Sequence, residues 1–413
     1  MENSTQMSNG ISLIIPTYRR RGMLLACLRD YAQQTLDKNY WEIIVCDDCS
    51  EDGTLEAVEE FSRHVPYQLR VCSTAQNSGP ATARNRASVF AQYGVLAFAG
   101  DDCFPDDAFL WQHYISHNRG WGYPLVIQGF TPWHWSIASG EFEAFLLNSG
   151  LQASWGNLRN QDGTWKREAP GWFLTTNVSV TKNLFEAESG FPEGHKFAAW
   201  EDISLAVKMT KRGVKTIFEP QALNYHFHFQ DLDSFVNRQI KEGISRLELC
   251  KVHWEVAGDM INPNELREYS DEKFNFVHRL AKEADRLTGD DTREIRYQRW
   301  GTCLRMATLK GILQGISERK GLWQALPDLH TSEIVRHVTA AAGDYERGDY
   351  MMAIQHAEWA LSGNPDNHAL LWMKGEIELA LGHKAEATAC FQESVQSGPG
   401  NKLSKARLEE LTK

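Results

Sequence analysis

Four short apolar runs punctuate the first hundred residues: 11–16 (ISLIIP), 41–48 (WEIIVCDD), 69–74 (LRVCST) and 95–100 (VLAFAG). They are continuous rather than alternating, the pattern of strands buried on both faces. Helical stretches lie between them, at 22–35, 54–64 and 81–93. Strands alternating with helices predict right-handed crossovers and a mainly parallel sheet, an α/β fold. Residues 111–230 are less regular and rich in glycine and aromatic rings, among them Trp111, Trp121, Trp133, Trp135, Trp155, Trp165, Trp172 and Trp200. Such rings stack on sugars or anchor loops and core. From Asp231 to about Leu326 the pattern turns helical and charged.

The tail repeats itself. Gly348 and Gly382, Ala353 and Ala387, Pro365 and Pro399, and Asn367 and Asn401 are each 34 residues apart. With Gly375 and Phe391 this resembles tetratricopeptide repeats, whose small residues and terminal proline let paired helices stack. Ala357 departs from the pattern, which usually has Phe there. Two repeats are fewer than normally stand alone, so docking on the preceding helices or on a second copy, a homodimer, is expected.

A chain of 413 residues holds two or three domains. The expected division is 10–230, 231–330 and 331–413. The 42% apolar and 23% charged residues are ordinary for a globular protein. A net charge of −11 argues against nucleic acid as partner, while a pyrophosphate group needs only a local positive site. No run approaches the roughly 18 apolar residues of a membrane span. The polar start, MENSTQMSNG, lacks the regions of a signal peptide, so a cytoplasmic location is expected. Eight scattered cysteines read as reduced thiols. Cys46 and Cys49 form a C-x-x-C with no second pair to complete a zinc site, and Cys46 reads as part of a strand.

The chemistry concentrates at 95–107 (VLAFAGDDCFPDD), where an apolar strand ends in Asp101 and Asp102. Open α/β sheets bind ligands at the carboxyl ends of their strands, and two adjacent carboxylates suit a hard divalent cation that in turn holds phosphate. Three more segments converge there. Pro16, Thr17 and Tyr18 end the first strand, where backbone and ring reach a base. Asp47 and Asp48 end the second, where a carboxylate accepts the imide hydrogen of uracil or thymine. In NSGPATARNRA (77–87) a Gly-Pro turn opens a helix carrying Arg84 and Asn85 towards the nucleotide. Further on, Tyr225-His226-Phe227-His228 puts both histidines on one face of a strand. Either could complete a metal shell or touch a diphosphate, His226 being preferred. Arg238 and Lys241 read as a solvated helix face.

Five motifs in order, ISLIIPTYRR, VCDDCSEDGT, NSGPATARNRA, AGDDCFP and TTNVSV…GFPEG…WEDISLAVKMTKRG, resemble family 2 glycosyltransferases of the GT-A fold over roughly residues 10–230. The resemblance implies a Rossmann-like, mainly parallel sheet flanked by helices, followed here by the all-α tetratricopeptide-like tail. It implies that Asp48 binds the base, Asp101 the ribose or sugar, and Asp102 a Mn²⁺ or Mg²⁺ ion. It makes Asp202 of the Glu201-Asp202 pair the general base, where otherwise both acids would favour a helix N-terminus through its dipole. Acceptor contacts are expected from Trp172, Thr176, Asn177 and Trp200. Gly100 stands where the usual D-x-D triplet has its first acid, which bears on metal dependence.

The expected function is inverting transfer of a sugar from a nucleotide-sugar donor to a glycan or polypeptide acceptor. UDP-sugar leads, with dTDP- and GDP-sugars open. Two rivals stand beside it. A nucleotidyltransferase of related fold would carry a Gly-rich basic loop after the first strand, whereas no glycine follows Pro16 until Gly22. A tetratricopeptide adaptor with a degenerate transferase domain is favoured by Gly100 alone.

Overall fold

All four apolar runs become strands. In the computed structural model they are β1 (Ile11–Thr17), β2 (Trp41–Asp47), β3 (Gln68–Ser73) and β4 (Val95–Ala99). The structure describes residues 10–137, 140–151, 155–169, 171–194, 197, 199–319, 321–329 and 331–412. The polar start, 1–9, lies outside them. The chain divides into two compact units, Met1–Leu232 and Asp233–Lys413.

Four further strands complete the first unit's sheet: β5 (Cys103–Pro105), β6 (Leu125–Phe130), β7 (Asn177–Thr181) and β8 (Lys215–His226). Their order is β3-β2-β1-β4-β7-β6-β8-β5. β1 pairs in parallel with β2 and with β4, and β2 with β3. β7 runs antiparallel to β4 and β6, so the sheet is mixed, mainly parallel at its amino-terminal half. β1, β2 and β4 are buried throughout, as continuous apolar runs require. Ile11, Leu13 and Ile15 pack into one core face, and Ile14, Ile44 and Phe98 into the other. Helices Arg21–Asp30, Thr54–Ser62 and Pro80–Ser88 make the crossovers. The last ends earlier than its pattern predicts, because Gln92 N–H leaves the helix for the buried Glu42 carboxylate (2.8 Å).

The strand order reverses between β1 and β4. That is the switch point at which open α/β sheets leave a crevice at their carboxyl ends. The acid pair Asp101-Asp102 follows β4 directly.

Behind the sheet, His113 is fully buried, with Nδ1 2.7 Å from Ser179 Oγ and Nε2 2.8 Å from Asn177 Oδ1. Burial pushes its pKa down to about 4, against a partial lift from Asn177. A histidine depressed in the folded state contributes stability above its unfolded pKa of ~6.5 and loses it as pH falls towards 4. His113→Gln should therefore flatten the fall of melting temperature between pH 6.5 and 4. An unchanged profile would contradict a neutral, buried His113.

The second unit is helical. Its core runs from Leu247 through Ile312 and Trp323 to Val335, Ala353 and Phe391. Residues 34 apart occupy equivalent places. Gly348 and Gly382 turn at φ of 80° and 86° after helices Ser332–Arg347 and His368–Ala380. The Asn367 and Asn401 side chains both cap helices, accepting from backbone N–H groups of the first turn. Among the described residues no helix is long and apolar enough to cross a membrane.

Candidate active site

Thr17, the last residue of β1, donates its hydroxyl to Asp101 Oδ2 at 2.7 Å. Arg20, just before helix Arg21–Asp30, reaches the same place. Its guanidinium donates to Asp101 Oδ1 (2.7 Å) and Asp102 Oδ2 (2.8 Å). The pairing of β5 with β8 sets Cys103 opposite His226 and so brings the end of β8 to Asp102. His226 Nε2 lies 3.4 Å from Asp102 Oδ1, and His228 Nδ1 lies 3.1 Å from Oδ2. Phe227 N–H between them donates to the Asp102 carbonyl at 2.8 Å. Both histidines of the Tyr-His-Phe-His run thus face one carboxylate.

These contacts split the two acids. Burial pushes Asp101 up to about 6, with Arg20 pulling it back down. Asp102 is as buried, yet His226, His228 and Arg20 hold it well below the usual carboxylate range. Gly100 has a steric reason to be glycine here. A Cβ on it would lie 2.8 Å from Asp102 Oδ1 and 3.1 Å from Cys103 Sγ, so a third acid would displace the second.

The donor set fits a divalent ion. Ligand atoms of Asp102, Cys103 and His226 all lie within 4.8 Å of one another, and His228 adds a second imidazole. Carboxylate oxygen with imidazole nitrogen suits Mn²⁺ better than the oxygen-seeking Mg²⁺.

A second cluster forms at helix Glu201–Lys211. Arg84 and Glu201, 117 positions apart, pair in the interior at 3.2 Å, and the Arg84 guanidinium also lies over the Phe191 ring, 5.6 Å from its centroid. Glu201 Oε2 has no hydrogen-bond partner among the described residues. Half-buried Asp202 accepts from Ile203 N–H at 2.8 Å. Burial first, then the Glu201 charge, push Asp202 up to about 7, with Arg84 opposing. Trp200, immediately before them, sits at φ 72°. That left-handed conformation costs a non-glycine residue about 1–3 kcal/mol, and such strain concentrates at working sites.

Several expected contacts are corrected by this geometry. Asp48 accepts from the Thr74 hydroxyl (2.7 Å), from Ser78 N–H (3.0 and 3.2 Å to its two oxygens) and from Gly79 N–H (2.7 Å). Three donors of the loop 74–79 share its two oxygens, so it is engaged by that loop rather than free-standing. Arg84 is turned to Glu201 rather than outward to a nucleotide. Asn177 is fully buried, receiving His113 and donating to Phe130 and Ala222 carbonyls (3.0 and 2.7 Å), so it is closed to an acceptor. Pro16 is inside β1, paired with Cys46. Tyr18 is exposed, with Arg19 over its ring. Thr176 lies 3.4 Å from the Thr131 hydroxyl, and Trp172 packs edge-to-face on Trp155 in an aromatic cluster. Cys46 is a buried strand residue and all eight cysteines are free. Arg20 and His113 were not anticipated. The run of three arginines right after the first strand was the available signal for the former.

Residues 12–117 match the model described as glycosyl transferase family 2. The match covers β1 to β4 and the acid pair. The chain is 26% identical over 220 residues to the glycosyltransferase AglE of Haloferax volcanii, covering 52% of this chain and 66% of that one. It is 32% identical over 130 residues to a putative teichuronic acid biosynthesis glycosyltransferase, TuaG, of Bacillus subtilis, covering 30% of this chain and 50% of the other. Both relatives are glycosyltransferases, and this chain spans less than two thirds of the length of each. Among solved structures, a mannosyltransferase of Pyrobaculum calidifontis in complex with GDP-Man and Mn²⁺ aligns over 94% of this chain and 87% of its own, at 15% identity and a TM-score of 0.44.

Proposed function

We propose that this chain is an inverting glycosyltransferase that moves a sugar from a nucleoside-diphosphate donor, UDP-sugar first, to a hydroxyl of a glycan or polypeptide. The observation that carries this reading is the acid pair at the switch point, with Asp102 faced by two imidazoles. Asp102, His226 and His228 would hold Mn²⁺ or Mg²⁺, which when bound offsets charge on the departing diphosphate. Asp101, held by Thr17, would contact the sugar or ribose. Asp202 takes the proton of the acceptor hydroxyl. The acceptor oxygen then bonds to the anomeric carbon from the face opposite the diphosphate, whose bond to that carbon breaks with both electrons, and the configuration inverts. Arg84 is a positioning residue, holding Glu201 beside Asp202. The tail, read as tetratricopeptide-like, would pair two copies or present a surface to a polypeptide.

Nuclear magnetic resonance of the transfer product from an α-linked donor tests this reading. A β-linked product is expected, and an α-linked product would refute the single-displacement mechanism.

A further inference from the structure

We propose that Arg20 is a built-in counter-ion that closes Asp101 and Asp102 to a free divalent cation and yields them when a nucleoside diphosphate arrives with the metal. This rests on the transferase reading above. One guanidinium bridges both carboxylates, at 2.7 and 2.8 Å. It lies on the solvent side of the pair, its side chain 36% exposed against 7% for each acid. A cation approaching Asp102 therefore meets a positive charge that never deprotonates, and the two repel. Among the described residues the guanidinium donates to no other group. A diphosphate presents the planar fork with paired oxygens that match it as well as the carboxylates do. Transfer of Arg20 to those oxygens frees Asp102 at the moment the metal has a second anion to bind. The acids are thereby kept from repelling each other in the empty enzyme, and metal capture is coupled to donor capture.

The test is a binding cycle on the full chain, with Mn²⁺ followed by the electron paramagnetic resonance of the free ion, in the absence and presence of UDP, dTDP or GDP. In the wild type, one nucleotide is expected to tighten Mn²⁺ by about tenfold or more, within the usual range of coupling between sites. Arg20→Gln should bind Mn²⁺ alone about tenfold more tightly than the wild type, with the nucleotide effect smaller than in the wild type by about the same factor. Unchanged Mn²⁺ affinity in this variant overturns the proposal. Should the glutamine variant not fold, Arg20→Lys decides. One ammonium is a poor bridge for two carboxylates, so Mn²⁺ alone should tighten, and a lysine variant matching the wild type throughout overturns the proposal. A wild type that binds Mn²⁺ and nucleotide with no coupling refutes the role of Arg20 alone. A wild type that binds Mn²⁺ but no nucleoside diphosphate refutes the transferase reading with it.

Discussion

Asp202→Asn is expected to lower turnover by about 10²–10⁴-fold, the usual worth of a positioned general base, while leaving the protein folded. The pH dependence follows from the same carboxyl. Its pKa of about 7 means that the ionised, proton-accepting form is scarce in acid. Turnover in the wild type should climb about tenfold per pH unit up to 7 and level off above. The linked stability runs the other way. An acid whose folded pKa is raised holds its proton more tightly folded than unfolded, so its contribution is present in acid and lost as pH rises towards 7. Asp202→Asn should therefore melt no lower than the wild type at pH 8, and higher if anything, with its activity gone. A variant of unchanged turnover would sink the base assignment. One with lost activity and a sharply lower melting temperature would show that Asp202 is structural.

The other large effect lies in the helical unit. Helix Arg293–Arg319 crosses the helix Leu232–Val252 at glycines. A Cβ at Gly311 would lie 2.0 Å from the Ile240 carbonyl oxygen, and one at Gly243 would lie 2.2 Å from that of Thr308. The obstacle is backbone, which a rotamer change does not move. Gly311→Val should cost about 3 kcal/mol through overpacking, against a gain of about 0.5 kcal/mol from helix propensity. Gly315→Ala should cost less, because its nearest neighbour is the end of the Leu247 side chain, at 2.8 Å. Urea denaturation of the full chain followed by circular dichroism would show this order. Equal stability of Gly311→Val and wild type would mean that the two helices are not in contact there.

Much of the first unit was legible in the sequence because its strands are continuous apolar runs whose burial is a local property. The acid pair was legible for the same reason, since it follows a strand directly. The partners of those acids were not. Nothing local distinguishes Arg20 from Arg19 or Arg21, and only the fold brings it to residues 81 and 82 positions away. Asp48 reads as a free strand-end acid until the loop 74–79 closes on it. Asn177 looked like an exposed acceptor contact because its partner, His113, is 64 positions distant. Local pattern fixes which groups stand at the sheet's carboxyl edge, whereas their charge balance is decided by long-range pairing.

The most direct measurement of the central claim is the melting temperature of the chain with UDP, dTDP, GDP or CDP, each with Mn²⁺ and with a chelator. A nucleotide at about 100 times its Kd stabilises the folded state by about 2.7 kcal/mol, which for a unit of this size is a rise of about 5–10 °C. The account predicts that one diphosphate gives this rise with Mn²⁺ and that the chelator removes it. No rise with any of the four, with or without metal, would contradict a nucleotide-sugar site at Asp101 and Asp102.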